Sequence, residues 1–449
     1  MGRRAWTLLL LCGCVCFGFL VFFHTYINDA SKWVVYPTNG HLYTQGRFIG
    51  SGAVYDRDGV VLSAVEDGKR VFNGSAGVRK AVMHLVGDSG GNVSTGIQTV
   101  YADKLAGWNP VTGVYASDHL NSGVTTTVDA GLCRTAYEAL SGRSGTVAVM
   151  NYKTGDILCM VSGPSFDPAD PPDIAKAPEK YDGVYLNRFL SATYTPGSVF
   201  KLVTTAAALD TIGGVETRTF HCSGSAAYAG GEVTCPKTHG EQSFEMALVN
   251  SCNVAYGELA VELGPGVLTR YAEKVGYNSQ SRLDAVRTAA GIFDVSEANE
   301  AELAWSGVGQ YTTLTNPYRF LTFVAAVANG GVETEGHIVQ SATRDAVALF
   351  SPGRRILSEE TAQAMKAMMR QTVVKSYGDG GLSGYNFCGK TGTAEVGGGK
   401  ENHAWFTGFL DSEEAPYAVI VVVEHGGAGS KAALGAARTV LEAAVKLEP

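Results

Sequence analysis

The segment Tyr194-Thr-Pro-Gly-Ser-Val-Phe-Lys201 places a serine directly before an apolar helical run. Its Pro-Gly pair predicts a turn, so we expect Ser198 at or near the start of a helix. Lys201 follows about one helical turn later, and its side chain therefore shares a helix face with Ser198. The helix dipole and any second cation nearby disfavour a charged amine there, which makes Lys201 a usable base for a serine nucleophile.

A second motif, Asn250-Ser-Cys-Asn253, lies about fifty residues further on, beside another apolar helical run. If the backbone is not helical at this point, a hydroxyl and an amide two residues apart can both face a cleft. The Ser251 hydroxyl can then relay a proton to a leaving group, and the Asn253 amide can hold a substrate carbonyl. Alone the motif is weak, because Ser and Asn are also common turn and cap residues.

A third motif, Gly389-Lys-Thr-Gly-Thr393, leads into a predicted strand. Lys390 and Thr391 can bind a carboxylate from the edge of that strand, and Gly392 lets a substrate backbone approach closely. The backbone amide of Thr393 can join that of Ser198 in an oxyanion hole. An earlier Lys153-Thr154-Gly155 fits a hairpin turn and is assigned no chemical role.

In order and spacing, the three motifs resemble those of the class B (monofunctional) penicillin-binding proteins. Further matches to that family follow in the expected order: Asp56-Arg-Asp-Gly59, Thr127-Val-Asp-Ala-Gly-Leu132, Ser162-Gly-Pro-Ser-Phe-Asp-Pro168, Gly307-Val-Gly-Gln310, Ala328-Asn-Gly-Gly331 and His403-Ala-Trp-Phe406. The resemblance implies a peptidoglycan D,D-transpeptidase that β-lactams inhibit covalently. The serine attacks the penultimate D-Ala carbonyl of a stem peptide, and a neighbouring strand's amine resolves the acyl-enzyme.

The resemblance also implies a role for each motif residue. Ser198 is the nucleophile, Lys201 the base and Ser251 the proton relay. The substrate-binding residues are Asn253, Lys390, Thr391, Gly392 and Thr393. No cofactor and no metal is implied, since serine and lysine complete the chemistry. The chain departs from the family pattern after Gln310, where Tyr311 and Thr312 replace the more usual Gly-Asp/Glu of the substrate groove.

Hydrophobic periodicity predicts an α+β fold in which an antiparallel sheet, flanked by helices, is built from both ends of the catalytic domain. The predicted strands are Thr146–Tyr152, Asp156–Val161, Ala404–Leu410 and Tyr417–Val423. The predicted helices are Asp129–Leu140, Ser198–Leu209, Phe244–Leu263, Asn316–Asn329 and Ser430–Leu447. This fold is typical of the penicillin-binding and serine β-lactamase-like transpeptidases.

The N-terminus predicts a membrane anchor. An apolar run of about 19 residues, Ala5–Phe23, follows two arginines and is long enough to cross a bilayer as a helix. A cleaved signal peptide is the alternative, although its apolar region is normally shorter and ends at small residues. We expect a short cytoplasmic start and anchor at residues 1–27, a non-catalytic module at 28–142 and a transpeptidase domain at 143–449. The catalytic domain would then lie on the extracytoplasmic side.

Cysteine usage leaves one question open. Cys222 and Cys235 bracket a Gly-rich loop, and in an exported domain they predict a disulfide, with free thiols as the alternative. A zinc site needs further ligands, and only His221 and His239 stand nearby. Four other cysteines look like small apolar core residues: Cys133, Cys159, Cys252 and Cys388.

The composition excludes one class of partner. The net charge is −8 and no stretch is rich in lysine or arginine, which argues against nucleic acid. We expect peptidoglycan stem peptides, β-lactams, the membrane and a glycan polymerase among other cell-wall synthesis proteins.

Three other functions compete with transpeptidation. A D,D-carboxypeptidase would use water as the acceptor, and a catalytically idle scaffold would act through its N-terminal module. A Glu-dependent β-lactamase would need a Glu-x-x-Leu-Asn stretch, and the sequence contains none.

Overall fold

The computed structural model describes residues 2–34, 36, 43–44, 47–48, 52–67, 69–108, 123–341 and 353–447. Its strands are β1 (Tyr43–Thr44), β2 (Arg47–Phe48), β3 (Ala53–Tyr55), β4 (Val61–Glu66), β5 (Lys69–Phe72), β6 (Gly123–Thr125), β7 (Gly145–Asn151), β8 (Ile157–Gly163), β9 (Thr219–Cys222), β10 (Ser225–Tyr228), β11 (Gly231–Thr234), β12 (Gly240–Ser243), β13 (Arg282–Leu283), β14 (Val286–Arg287), β15 (Val332–Glu333), β16 (Arg354–Arg355), β17 (Phe387–Ala394), β18 (His403–Leu410) and β19 (Tyr417–Val423). Its α-helices are α1 (Gly2–Val34), α2 (Ala76–Ala81), α3 (Met83–Val86), α4 (Ile97–Val100), α5 (Ala102–Leu105), α6 (Ala130–Leu140), α7 (Arg188–Ser191), α8 (Lys201–Thr211), α9 (Phe244–Val249), α10 (Asn253–Val275), α11 (Glu300–Val308), α12 (Pro317–Ala328), α13 (Glu359–Thr372) and α14 (Gly429–Ala444).

A five-stranded antiparallel sheet forms the centre of the catalytic domain, with strand order β17-β18-β19-β7-β8. The chain thus supplies two neighbouring strands from the start of the domain and three from its end, as the sequence predicts. Every residue of β19 is buried, because this strand pairs with β18 on one side and β7 on the other. The predicted α+β fold is confirmed.

Helices pack on this sheet and cover it. Helices α6 and α14 pack against each other and on the sheet, while α12 packs on β18 and β19 and α13 packs on β17. Asn316 is the N-cap of helix α12, and Pro317 is its first residue. A proline is well tolerated there, because the first backbone N–H groups of a helix have no partner within the helix. Its apolar side chains join one core that runs through the whole domain.

The structure corrects two predicted helix boundaries, both at catalytic motifs. The predicted helix Phe244–Leu263 is two helices, since α9 ends at Val249 and α10 begins at Asn253. Between them Ser251 has a φ of 54°, a left-handed conformation that a helix cannot propagate. The predicted helix at Ser198 begins instead with a short 3-10 turn, Gly197–Val199, and α8 follows at Lys201.

The N-terminal part contains one long helix and a small sheet. Within α1, the 23-residue stretch Arg4–Tyr26 is long and apolar enough to cross a membrane. The small sheet has the order β5-β4-β3-β6. An ion pair of 2.6 Å between Arg79 and Asp167 joins this part to the catalytic domain. Helix α6 also packs on β8, across the boundary predicted at residue 142, which stays a prediction.

The buried carboxylate of Asp56 fastens the early Asp-Arg-Asp-Gly turn to helix α6. Only 2% of Asp56 is exposed, and its side chain accepts from the backbone N–H groups of Asp58 (3.0 Å), Val60 (2.8 Å) and Ala130 (3.3 Å). Because Asp56→Ala leaves these donors unsatisfied, we expect it to lower the free energy of unfolding by about 1–3 kcal/mol. Thermal unfolding of the purified protein measures the change.

The matched control for this prediction is Asp58→Ala in the same turn. The Asp58 side chain is 62% exposed and its contact with Arg57 spans 3.7 Å, so its loss should change stability little. Equal unfolding temperatures for the two variants would contradict the role assigned to Asp56.

Candidate active site

The serine and lysine of the first motif are in hydrogen-bond contact. Lys201 Nζ lies 3.2 Å from Ser198 Oγ. Ser198 remains partly exposed in its 3-10 turn, while Lys201 is completely buried on the first turn of α8. A partly exposed hydroxyl beside a buried amine is the arrangement that an activated serine nucleophile requires.

Three more atoms surround the Lys201 amine, all from the second motif. The backbone oxygen of Ser251 accepts at 2.6 Å and Asn253 Oδ1 at 2.7 Å, and Ser251 Oγ lies 3.2 Å away. A neutral amine has two N–H groups and one lone pair. The two shortest contacts use both N–H groups, so the lone pair remains for a hydroxyl proton.

Burial and charge both favour that neutral amine. The pKa of Lys201 lies well below its ordinary value, first because burial removes the ammonium from water and second because the Lys390 charge repels it. The lowered pKa makes Lys201 a better proton acceptor for Ser198 than an ordinary, charged lysine.

Lys390, on strand β17, contacts the hydroxyl of Ser251. Its amine donates to Ser251 Oγ at 3.0 Å and to the Thr391 backbone oxygen at 3.1 Å. Burial lowers the pKa of Lys390 to about 7. The Ser251 hydroxyl thus lies between two buried amines, which suits the proton relay predicted for it.

The remaining residues of the third motif continue along β17. The Thr391 hydroxyl lies 2.8 Å from the Tyr377 hydroxyl, which also accepts from the Thr391 backbone N–H at 3.1 Å. Thr391 is half-buried and Thr393 is exposed on the same strand. The predicted carboxylate-binding residues therefore lie along one edge of the sheet, next to the serine.

Close backbone packing holds the serine turn against that strand. A side chain at Gly392 would lie 2.8 Å from the Pro196 oxygen, and one at Gly197 would lie 2.5 Å from the Thr393 oxygen. Gly309, from the predicted Gly-Val-Gly-Gln motif, accepts from the Gly197 N–H at 2.9 Å on the other side. The structure thus brings seven predicted catalytic and substrate-binding residues together around Ser198 and gives Gly392 a packing reason as well.

The structure does not join Cys222 and Cys235 in the predicted disulfide. Cys235 Sγ instead lies 4.0 Å from Cys252 Sγ and 3.5 Å from His239 Nδ1. The sequence offered Cys252 only as a core residue, and its sulfur is indeed buried, but it faces the other two cysteines.

Sequence reasoning missed Tyr377, which anchors Thr391 from a π-helical turn at Val373–Tyr377. Its spacing from the third motif carries no recognisable signal. By contrast, the excluded Lys153-Thr154-Gly155 segment is a hairpin turn, where Asn151 Oδ1 accepts from the Lys153 and Thr154 amides.

The family model described as "Penicillin binding protein transpeptidase domain" matches residues 145–444. The chain is 33% identical over 307 residues to Stage V sporulation protein D of Bacillus subtilis, which covers 64% of this chain and 46% of that protein. It is 30% identical over 334 residues to the peptidoglycan D,D-transpeptidase PbpA of Mycobacterium tuberculosis, which covers 68% of each. The chain thus spans about half of the first relative's length and two thirds of the second's.

Among solved structures, the imipenem acyl-enzyme complex of penicillin-binding protein A from M. tuberculosis superposes with a TM-score of 0.75. The two sequences are 25% identical, and the match covers 88% of this chain and 98% of the other.

A methyl group at Gly309 would test how the serine turn is held. Gly309 has a φ of 93°, and an added side chain would lie 2.1 Å from the Gly197 oxygen. We expect Gly309→Ala to displace Ser198 and to slow its acylation by fluorescent penicillin by about 10²-fold. Gly330→Ala is the matched control, because Gly330 also has a positive φ (63°) but open space around it. Equal acylation rates in both variants would contradict this role.

The two lysines predict a bell-shaped pH profile for acylation at low penicillin concentration. The rate should fall toward acid as Lys201 gains a proton, and fall above about pH 7 as Lys390 loses the charge that attracts a carboxylate. Stopped-flow acylation rates measure both limbs. A penicillin ester without the carboxylate should keep the acid limb and lose the alkaline one. An alkaline limb shared by both compounds would contradict the role of Lys390.

Proposed function

The chain belongs to the penicillin-binding protein transpeptidase family, and from this premise we propose that it cross-links peptidoglycan as a membrane-anchored D,D-transpeptidase. The resemblance inferred from the motifs is confirmed by this family membership. The observation that carries the proposal is the hydrogen-bonded set of Ser198, Lys201, Ser251 and Lys390. In this set the nucleophile Ser198 and the relay Ser251 both contact the base Lys201.

In the first half-reaction, Ser198 Oγ attacks the carbonyl of the penultimate D-Ala while Lys201 takes the hydroxyl proton. An ester forms between Ser198 Oγ and the penultimate D-Ala, and the amide bond to the terminal D-Ala breaks. Ser251, which lies 3.2 Å from the Lys201 amine, passes a proton to the departing amine. The backbone amides of Ser198 and Thr393 stabilise the oxyanion that forms in between.

In the second half-reaction, an amine from a neighbouring stem peptide attacks the ester. Its proton returns through the same relay to Ser198, so that the enzyme ends in its starting protonation state. Before the first half-reaction, Lys390 and Thr391 bind the carboxylate of the terminal D-Ala, which is the leaving group. Asn253 orients the backbone of the donor peptide. β-Lactams acylate the same serine because their ring amide replaces the D-Ala-D-Ala bond.

The apolar stretch Arg4–Tyr26 anchors the enzyme in the cell membrane. Arg3 precedes this stretch and Arg4 begins it, which favours a cytoplasmic N-terminus and an extracytoplasmic catalytic domain. The peptidoglycan substrate lies on that side. Residues 28–142 form a non-catalytic module ahead of the transpeptidase domain. Since cross-linking consumes glycan strands, a glycan polymerase must supply them, and we expect one among the cell-wall synthesis partners.

Fluorescent penicillin labelling of the full chain in detergent tests the acyl-enzyme. We expect a stable adduct on the unchanged protein and none on Ser198→Ala, with slow release of the label. Ser279→Ala, at an exposed serine of the same domain, is the matched control and should label normally. No adduct on folded protein would contradict the transpeptidase assignment and favour the idle scaffold. Rapid release of the label would favour a β-lactamase.

A further inference from the structure

Four side chains beside the active site form a cluster that the transpeptidase chemistry does not use. The sulfur atoms of Cys222, Cys235 and Cys252 and a ring nitrogen of His239 all lie within 4.8 Å of one another. Cys222 and Cys252 are buried, while Cys235 and His239 are half-buried. Three thiols and one imidazole are a common ligand set of structural zinc sites.

The distances within the cluster suit a metal better than a disulfide. Tetrahedral zinc, with Zn–S bonds of about 2.3 Å and Zn–N bonds of about 2.0 Å, separates neighbouring ligand atoms by roughly 3.5–3.8 Å. Cys235 Sγ lies 4.0 Å from Cys252 Sγ and 3.5 Å from His239 Nδ1, close to that spacing. A disulfide requires sulfur atoms about 2.05 Å apart.

The local fold brings these ligands together from four points of the chain. Cys222 ends β9, Cys235 follows β11, and His239 precedes β12. The pairing of β9 with β12 places Cys222 opposite Gly240, next to His239. Twelve residues separate Cys222 from Cys235, three separate Cys235 from His239, and twelve separate His239 from Cys252. The sequence did not predict the complete ligand set, because the fourth ligand, Cys252, lies inside a catalytic motif.

Backbone amides point at two of the sulfur atoms. The Asn253 N–H donates to Cys235 Sγ at 3.4 Å, and the Ala255 N–H donates to Cys252 Sγ at 3.5 Å. Cys252 is also the N-cap of the long helix α10, where the helix dipole favours negative charge. Such hydrogen bonds to sulfur support metal-bound thiolates.

We propose that Cys222, Cys235, His239 and Cys252 bind one structural Zn²⁺ ion. Four protein ligands close the coordination sphere, so the ion holds the chain in place and takes no part in acyl transfer. Cys252 stands between Ser251 and Asn253, two of the residues that contact the Lys201 amine. The metal therefore fastens the strained turn that presents both side chains to the catalytic serine.

Metal analysis of the full chain, purified in detergent without added metal or chelator, tests the proposal. We expect inductively coupled plasma mass spectrometry to find about one zinc ion per chain, as in other closed sites. Cys252→Ser and His239→Ala should lose it. The matched controls Cys133→Ser, at a buried cysteine elsewhere, and His221→Ala, at an exposed histidine on β9, should retain it. Cobalt substituted for the zinc should give the visible absorption of a tetrahedral thiolate site.

Two results would overturn the zinc site. One is an intact mass lower by two hydrogens with no bound metal, which would show that a disulfide joins two of these cysteines. The other is a metal-free protein whose thiols all react with an alkylating reagent. Penicillin labelling of the same samples is read separately, so an absent zinc with normal labelling refutes the metal site and leaves the proposed function intact.

Discussion

Two buried lysine amines around one serine hydroxyl are the constraint on which the site depends. Lys201 and Lys390 are both completely buried, and both contact Ser251 Oγ. In the described part of the chain, neither amine has a carboxylate partner within ion-pair distance. Burial without a counter-ion makes the charged state costly for each. For Lys201, burial thus favours the neutral amine that the proposed mechanism needs as a base for Ser198.

The surrounding architecture serves to keep those amines in place. Strand β17 brings Lys390 from the end of the chain to α8, which carries Lys201 from the middle of it. The break between α9 and α10 turns Ser251 toward both, at the expense of a left-handed backbone at a non-glycine residue. A strained turn persists only where its surroundings hold it, and one of the proposed zinc ligands, Cys252, directly follows Ser251 in this turn.

The sequence predicted most of this because its strongest signals are local. Alternation and apolar runs gave four of the five strands and the helices α6, α12 and α14, but not α13. Motif order identified the serine, both lysines and the hydroxyl between them. The helix break at Ser251 escaped prediction, since the apolar pattern continues through it and only tertiary contacts stop the helix. Tyr377 escaped because no spacing rule connects it to the third motif. The four-ligand cluster escaped because its fourth member, Cys252, lies inside a catalytic motif. Cys252 was assigned to the core because burial is the usual state of a lone cysteine.

The central claim is that Ser198 passes a peptide to an amine and not only to water. The most direct measurement is mass spectrometry of products formed from a stem peptide ending in D-Ala-D-Ala, incubated with the full chain and a labelled D-amino acid as acceptor. The account predicts a product in which the labelled amino acid replaces the terminal D-Ala, and its absence after treatment with penicillin. A product shortened by one D-Ala without incorporation of the label would contradict transpeptidation and identify a carboxypeptidase.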